Sequence, residues 1–262
     1  MSDRPILLLT NDDGVHAVGL KVLREALLPL GHVVVVAPTR EQSATSHSIT
    51  IDRPLRHLEH ATDVHSIDGT PADCVYLALF EPRFLPRRPD VVVSGVNHGP
   101  NVGSAVFYSG TIAGAREGAL RGHPGIAFSN SGDMDAPWIA RHVHDMVARF
   151  LKTPKPTGHA PLINVNFPKG DPRGVRVTRV GRHVYEEAVI PRRDPGGREY
   201  FWIGGRVIDY GEVAGSDKQA VDAGFISVTP LALEPTSSDH IALASDVAGP
   251  HSAGPDESQE QS

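Results

Sequence analysis

Residues 6–14 read ILLLTNDDG, an uninterrupted apolar run that stops at a polar turn. A run without alternation is typical of a strand buried on both faces, as in a parallel sheet covered by helices. Leucines then recur at helical spacing between residues 20 and 30, and Gly31 is placed to end that helix. Residues 33–36 form a second buried apolar run. The order of strand, helix and strand predicts a βαβ unit.

The same alternation continues along the chain. Residues 49–58 alternate in a manner compatible with a hairpin arm, and Thr70-Pro71 is a cap and first-turn pair that can open a helix. Further helices are predicted over 71–79, 111–120 and 137–151, and further strands over 90–94, 125–129, 162–167 and 225–229. This pattern predicts an α/β fold, a three-layer α/β/α doubly wound and mostly parallel sheet of Rossmann-like type.

The character of the sequence changes after Lys152, where prolines become frequent. Residues 175–210 are β-like, basic and glycine-containing, which favours an antiparallel extension over another βαβ unit. The predicted domains are a Rossmann-like catalytic core over 1–170, a β-rich extension and returning C-terminal segment over 171–246, suited to oligomerisation, and a disordered tail over 247–262.

Composition excludes several functional classes. The 262 residues carry a formal charge of −6, which does not favour binding to a nucleic acid duplex. The single cysteine, Cys74, excludes an intramolecular disulfide and a cysteine-based zinc cluster, and suits a reducing, cytoplasmic compartment. No signal-peptide h-region and no stretch of membrane-spanning length is present, so no membrane association is expected.

Three polar loops follow buried strands, at 11–14, 42–46 and 94–101. In open α/β sheets ligands bind beyond the carboxyl ends of the strands, so we expect chemistry there. Asp12 and Asp13 can lie on one side of a tight turn at Gly14, where they repel each other unless a cation lies between them. Carboxylates with Ser and Asn oxygens are hard ligands that suit Mg²⁺ or Mn²⁺. An ordinary Asx-type turn explains the tetrapeptide equally well.

The glycine-rich loop over 95–103 offers backbone N–H groups and the amides of Asn97 and Asn101 to an anion, although a flexible turn has the same composition. Ser109 and Thr111 at a helix start can bind phosphate or cap the helix. His16, His47 and His98 lie in these loops, where ordinary loop histidines are the simpler interpretation. The motifs of dinucleotide binding, P-loops, zinc proteases and nucleophile elbows are missing from the sequence.

Six motifs together resemble the SurE family, the survival-protein 5′-nucleotidases. They are LLTNDDG at 8–14, VAP at 36–38 followed by Gln42-Ser43, SGVNHGPNVG at 94–103, YSGT at 108–111, NVNFP at 164–168 and SVTPL at 227–231. The resemblance implies a metal-dependent phosphatase of nucleoside 5′-monophosphates, and the family's activities extend to 3′-nucleotides and short polyphosphate. It also implies a homodimer or homotetramer.

The resemblance further implies site residues. One divalent cation, Mg²⁺ or Mn²⁺, is expected at Asp12, Asp13, Ser43 and Asn97. The expected phosphate and substrate contacts are Asn11, Asn97, Gly99, Asn101, Ser109, Gly110 and Thr111. The hypothesis for mechanism is in-line attack by a cation-activated water, with Asp12 or Asp13 accepting its proton. A direct aspartyl nucleophile stays open, as does the choice between the two aspartates.

Two alternatives from other classes remain: a non-catalytic nucleotide or metal sensor, and a nucleotide-sugar-binding transferase. The chain also departs from the family pattern at two places. It has Ser43-Ala44 where many relatives read Ser-Gly, and Ala17-Val18-Gly19 where many read Ala-Pro-Gly. Both departures are expected to affect loop mobility rather than the ligands.

Overall fold

The computed structural model describes residues 4–134, 136–182, 184–185, 188–204, 207–208 and 213–249. Of these, the residues up to 231 form one compact unit and those from 232 onward form another. The strands are β1 (Ile6–Thr10), β2 (His32–Pro38), β3 (His57–Ala61), β4 (Val64–Ile67), β5 (Val91–His98), β6 (Gly125–Asn130), β7 (Leu162–Phe167), β8 (Val175–Val177), β9 (Val184–Tyr185), β10 (Ala188–Arg193), β11 (Glu199–Gly204), β12 (Val207–Ile208) and β13 (Ile226–Leu231). The helices are α1 (Val18–Leu27), α2 (Pro71–Phe80), α3 (Gly110–Leu120), α4 (Pro137–Lys152), α5 (Asp217–Asp222) and α6 (Ile241–Ala248), with short 3₁₀ turns at Gly103–Phe107 and Ser238–His240.

One large sheet organises the first unit, with strand order β3-β4-β2-β1-β5-β6-β7-β13-β8. Six neighbouring strands, from β4 to β7 in that order, run parallel. The edges depart from this rule, since β3 is antiparallel to β4 and β13 is antiparallel to β7. The predicted three-layer, mostly parallel α/β fold is therefore confirmed.

Alternate side chains of the central strands enter two separate cores. Leu7 and Leu9 pack in a cluster with the buried faces of α1 and α4, whereas Leu8 lies in a second cluster with α2 residues such as Val75. Successive side chains of a strand point to opposite faces, so a strand with apolar residues on both faces needs helices on both. The apolar run that opened the sequence is thus explained by its position in the middle layer.

Helix α3 approaches the sheet unusually closely because glycines face the strands. A Cβ at Gly114 would lie 2.6 Å from Thr10 Cγ2, and one at Gly118 would lie 2.5 Å from Val92 Cγ2. Helix α2 begins as predicted: the Thr70 hydroxyl accepts from the Asp73 N–H, and the Asp73 carboxylate accepts from the Thr70 N–H. The two glycine contacts place α3 directly against β1 and β5.

The prediction is less accurate at the two edges of the sheet. Residues 49–56 contain no strand, and the hairpin pairs β3 with β4, a strand that the sequence pattern did not reveal. Within 175–210, β10–β11 and β9–β12 are antiparallel pairs, but β8 joins the large sheet parallel to β13. Of the predicted tail 247–262, residues 247–249 lie at the end of α6 and the others fall outside the described residues.

No helix in the described part of the chain has both the length and the apolar composition needed to cross a bilayer.

Candidate metal and phosphate site

The turn after β1 is stabilised by its own first side chain. The Asn11 amide donates to the Gly14 carbonyl at 2.9 Å, and its oxygen accepts from the Gly14 N–H at 3.2 Å. Gly14 has a φ of 101°, a left-handed conformation that side chains with a Cβ rarely adopt. The sequence left open whether this segment is an ordinary Asx-type turn or a pair of aspartates available to a cation. The two are compatible in the structure, because the side chain of Asn11 forms the turn and neither aspartate side chain is needed for it.

Asp12 is buried and points toward the start of α3. Its Oδ1 accepts from the Thr111 hydroxyl at 2.5 Å, and its backbone carbonyl accepts from the Gln42 N–H at 2.7 Å. Burial raises the pKa of Asp12 to about 6, with a further contribution from the charge of Asp13, while the Thr111 hydrogen bond acts in the opposite direction. At neutral pH the negative charge of this buried carboxylate is only partly balanced by its hydrogen bonds, so it favours a nearby cation.

Asp13, the next residue of the turn, is half-buried and faces the end of β5. Its Oδ2 accepts from the backbone N–H of His98, at the end of β5, at 3.4 Å. Burial raises its pKa, the His98 N–H lowers it, and the negative charge of Glu41 raises it again. Three carboxylates, those of Asp12, Asp13 and Glu41, thus share the carboxyl edge of the sheet.

Ser43 is exposed, and its hydroxyl donates to Glu41 Oε1 at 2.7 Å. Among the described residues, Ser43 forms no direct hydrogen bond with either aspartate. It is connected to them indirectly, because its hydroxyl donates to Glu41 and the N–H of the neighbouring Gln42 donates to the Asp12 carbonyl. The next residue, Ala44, has a φ of 57°, so the backbone takes at this position the conformation that glycine adopts most easily.

The loop after β5 brings Asn97 and Gly99 to the same edge. The Asn97 amide donates to the Gly99 carbonyl at 2.7 Å, and Gly99 has a φ of 107°. The Gly99 N–H in turn donates to the Asn130 carbonyl at 2.9 Å. With its NH₂ used inside the loop, Asn97 keeps its side-chain oxygen for another partner.

Asn101 is buried and forms hydrogen bonds with side chains of two strands, β6 and β7. Its N–H donates to Asn166 Oδ1 at 2.7 Å, and its carbonyl accepts from the amides of Asn164 (2.8 Å) and Asn166 (3.2 Å). Its own side-chain amide donates to Ser129 Oγ at 2.8 Å and lies 3.5 Å from Thr111 Oγ1. A continuous chain of hydrogen bonds therefore runs from β7 through Asn101 and Thr111 to Asp12.

The first turn of α3 completes the site. Ser109 is the N-cap, and its hydroxyl oxygen accepts from the Ile112 N–H at 3.1 Å, which leaves its proton free to donate. The geometry of a helix leaves the N–H groups of Gly110 and Thr111 without helical acceptors. A Cβ at Gly110 would lie 2.9 Å from Asp12 Cβ, so the glycine allows the helix end and the aspartate to touch.

The three loop histidines have different surroundings. His47 Nε2 lies 2.8 Å from Glu117 Oε2, on the side of α3, and is a structural partner of that carboxylate. His16 is exposed and contacts the ring of His60 edge-on, with the ring centroids 4.9 Å apart. His98 is the one of these three that contacts the aspartate pair, through its backbone N–H.

Several residues of the site had no role assigned from the sequence: Glu41, Ser129, Asn164, Asn166 and Asp217. The Asp217 carboxylate is fully buried at the start of α5 and accepts from the N–H groups of Gly103 at 3.0 Å and Gly181 at 2.9 Å. Asn164 and Asn166 did leave a signal, since two amides alternate within the otherwise apolar strand LINVNF. Asp217 left none, because Gly103 and Gly181 are distant from it in the sequence, and Glu41 left none, because its proximity to Asp13 depends on the fold.

An open cavity of about 400 Å³ lies beside Asp13. It is formed between the start of α1 and the turn that follows β6. The residues that line it are Asp13, Ala17, Val18, Gly19, His98, Gly132, Asp133 and Met134. Its volume falls within the range of small-molecule sites, about 300–1,000 Å³.

Comparison with known proteins relates this chain to one family. The family model described as Survival protein SurE matches residues 7–187. A protein of Sorangium cellulosum named 5′-nucleotidase SurE is 49% identical over 255 residues, covering 96% of this chain and 99% of its own. A protein of the same name from Deinococcus radiodurans is 45% identical, covering 92% and 91%.

The crystal structure of the SurE protein of Aquifex aeolicus is similar throughout. It has a TM-score of 0.81 and 40% sequence identity, and the match covers 93% of this chain and 100% of that one. Sequence and fold agree over nearly the whole length, and the chain belongs to the SurE family.

Proposed function

We propose that this chain is a phosphomonoesterase that hydrolyses nucleoside 5′-monophosphates to nucleoside and phosphate with the help of one divalent cation, Mg²⁺ or Mn²⁺. The observation that carries the proposal is the pair Asp12 and Asp13, whose pKa values are both raised by burial at the carboxyl edge of the sheet. The names of the Sorangium and Deinococcus relatives support the substrate class.

The donor set fits a hard cation. Asp12, Asp13, Ser43 and Asn97 would hold it, offering two carboxylates, one hydroxyl and one amide oxygen, which suit Mg²⁺ or Mn²⁺ better than a soft metal. Glu41 adds negative charge beside Asp13 and holds the Ser43 hydroxyl. When bound, the cation supplies charge neutralisation at the phosphoryl group and activation of water.

The protein's own groups position the phosphate. The Ser109 hydroxyl and the Gly110 N–H donate to its oxygens at the positive end of α3, and the Thr111 N–H, which also bonds the Asp12 carboxylate, is shared between the two. Asn97 and Gly99 bring further polar groups of the β5 loop to the same edge. Asn11 and Asn101 act through the turns that they hold, and Thr111 also orients Asp12.

Asp12 and Asp13 are the proposed catalytic residues, since one of them accepts the proton of the attacking water. In the metal-free protein burial raises the pKa of Asp12 to about 6, and a bound cation would lower it, so this carboxylate is ionised in the loaded site and can accept a hydrogen bond from water. Asp13 is less buried and has more room to contact water.

The test is phosphate release from AMP and GMP with Mg²⁺, with Mn²⁺ and with EDTA. We expect hydrolysis by the native chain with either cation, and losses of at least about a hundredfold in EDTA and in Asp12→Asn and Asp13→Asn. Asp52→Asn, a substitution of an exposed carboxylate, is the matched control. Full activity in EDTA or in both variants would overturn the metal-centred proposal, and AMP bound in calorimetry but recovered intact would point to a sensor.

We further propose that the chain forms a homodimer or homotetramer through the β-rich part of 171–246. The hairpin β10–β11 supports this, because it exposes a run of large apolar side chains, among them Phe201, Trp202 and Ile203. Light scattering of the native chain and of Trp202→Lys with Ile203→Lys tests it, and we expect the substituted chain to have the smaller molecular mass.

The single buried Cys74 also supports a cytoplasmic location, where thiols stay reduced.

A further inference from the structure

The cavity beside Asp13 has one apolar wall and one polar edge. Val18 and Met134 form the apolar wall, together with Ala17 and Gly19. The polar edge carries the carboxylates of Asp13 and Asp133 and the residue His98, and no Lys or Arg is among the residues that line the cavity. The two carboxylates disfavour an anionic ligand group in the cavity. A neutral ring with polar edges fits better, because its faces can contact the apolar wall and its edges can form hydrogen bonds at the polar edge.

The apolar wall is held in place before any ligand binds. A Cβ at Gly19 would lie 1.9 Å from the Val96 carbonyl oxygen and 2.7 Å from Met134 Cε, so the helix start and the methionine methyl meet across this glycine. The Asn130 amide lies 3.5 Å from Met134 Sδ and donates to the Asp133 carbonyl at 3.0 Å. Fixed walls reduce the ordering cost of binding.

The position of the cavity relative to the aspartates gives it a role. Asp12 faces the start of α3, where the phosphate is proposed to bind, while Asp13 lines the cavity. The organic substituent of a phosphate ester held at the aspartate pair therefore has this cavity beside it, on the Asp13 side. Val18 is 52% exposed at the first position of α1 and is available to that substituent.

We propose that this cavity takes the nucleoside part of the substrate, with the base against Val18 and Met134, and that these two side chains determine the preference for nucleotides over simpler phosphate esters. The inference rests on the proposed nucleotidase function.

The experiment compares kcat/KM for AMP with kcat/KM for ribose 5-phosphate, which lacks the base. Val18→Phe fills the cavity from an exposed position and should fold normally. We expect it to lower the ratio of the two values about tenfold, the scale on which one misfitting group in an apolar pocket acts. Leu28→Phe, just beyond the C-terminal end of the same helix, is the matched control and should leave the ratio within twofold. Val18→Ile should also retain it.

In the comparison of AMP with ribose 5-phosphate, the inference would be overturned by a native ratio near one, by an unchanged ratio in Val18→Phe, or by an equal fall in Leu28→Phe. If Val18→Phe lowered kcat/KM more for tripolyphosphate than for AMP, the cavity would bind an anionic chain, and the inference would also be overturned. Ligand-detected NMR of adenosine separates this inference from the proposed function. Should neither ester be hydrolysed, adenosine binding that Val18→Phe weakens still supports the cavity, and the lack of such binding refutes it.

Discussion

The Thr111 hydroxyl donates to the Asp12 carboxylate at 2.5 Å, joining the first turn of α3 to the turn after β1. Both groups are buried, so this bond fixes the orientation of the carboxylate where water cannot replace it.

Thr111→Val should keep the shape of the site and remove this donor. We expect kcat/KM for AMP to fall about 10- to 100-fold, since a buried hydrogen bond to a charged group contributes roughly 1.5–3 kcal/mol. Thr111→Ser retains the hydroxyl and should retain most of the activity. Steady-state kinetics of the three proteins check this, and a fully active valine variant would show that the bond has no catalytic importance.

Asp12 should make the metal-free protein less stable as the pH rises. Its pKa is raised from 3.8 to about 6, so the folded state holds a proton that the unfolded chain releases between these values. The associated stability is present below about pH 4 and is lost by about pH 7, a change of ~3 kcal/mol. Urea unfolding in EDTA at a series of pH values measures it.

Asp12→Asn serves as the reference for that pH series. Its stability should match the native chain near pH 4 and exceed it by a margin that grows toward pH 7. Parallel curves for the two proteins over this interval would contradict the assignment of the effect to Asp12.

Gly110→Ala should disturb the site more than the fold. The added Cβ would lie 2.9 Å from Asp12 Cβ and 3.0 Å from its Oδ2, so the carboxylate or the helix start must move. We expect an activity loss of about tenfold or more, because small displacements of a catalytic group are costly. Gly204→Ala, which meets no atom within 4 Å, is the control for the substitution itself.

Asn166→Ala should release the loop that carries Asn101. It removes the acceptor of the Asn101 N–H and one donor to the Asn101 carbonyl, both buried, at a cost of about 2–3 kcal/mol. The melting temperature should fall by about 4–10 °C. Ser227 is opposite Asn166 in β13, and its hydroxyl has no hydrogen-bond partner among the described residues. Ser227→Ala should therefore change the melting temperature little, and equal losses would argue against the network.

Ala44→Gly should stabilise the loop that presents Ser43. Ala44 has a φ of 57°, a conformation that costs a residue with a Cβ about 1 kcal/mol. The gain in melting temperature should be about 2–4 °C. A drop would mean that the added freedom of glycine in the unfolded chain outweighs the relief.

The sequence was sufficient for the central parallel sheet because strands such as β1 and β5 are apolar on both faces and end in polar loops. It also placed Asp12, Asn97 and Ser109 at strand or helix ends, where the structure finds them. It did not reveal β4, whose residues 64–67 read VHSI without an apolar run, or helix α5. Asp217 was missed because Gly103, which it contacts, is distant in the sequence, and Glu41 was missed because its proximity to Asp13 is created by the fold.

The backbone of Asn101 is bonded by a side chain 65 residues later in the chain. During synthesis on the ribosome, the loop at 95–103 must therefore wait several seconds for β7 to emerge, at 5–20 residues per second. Until then this loop lacks the side chains of Asn164 and Asn166 that hold the backbone of Asn101. The loop can therefore reach its native hydrogen bonding only after β7 has been made, although Gln42, His98 and Thr111, which contact the aspartates, are already present.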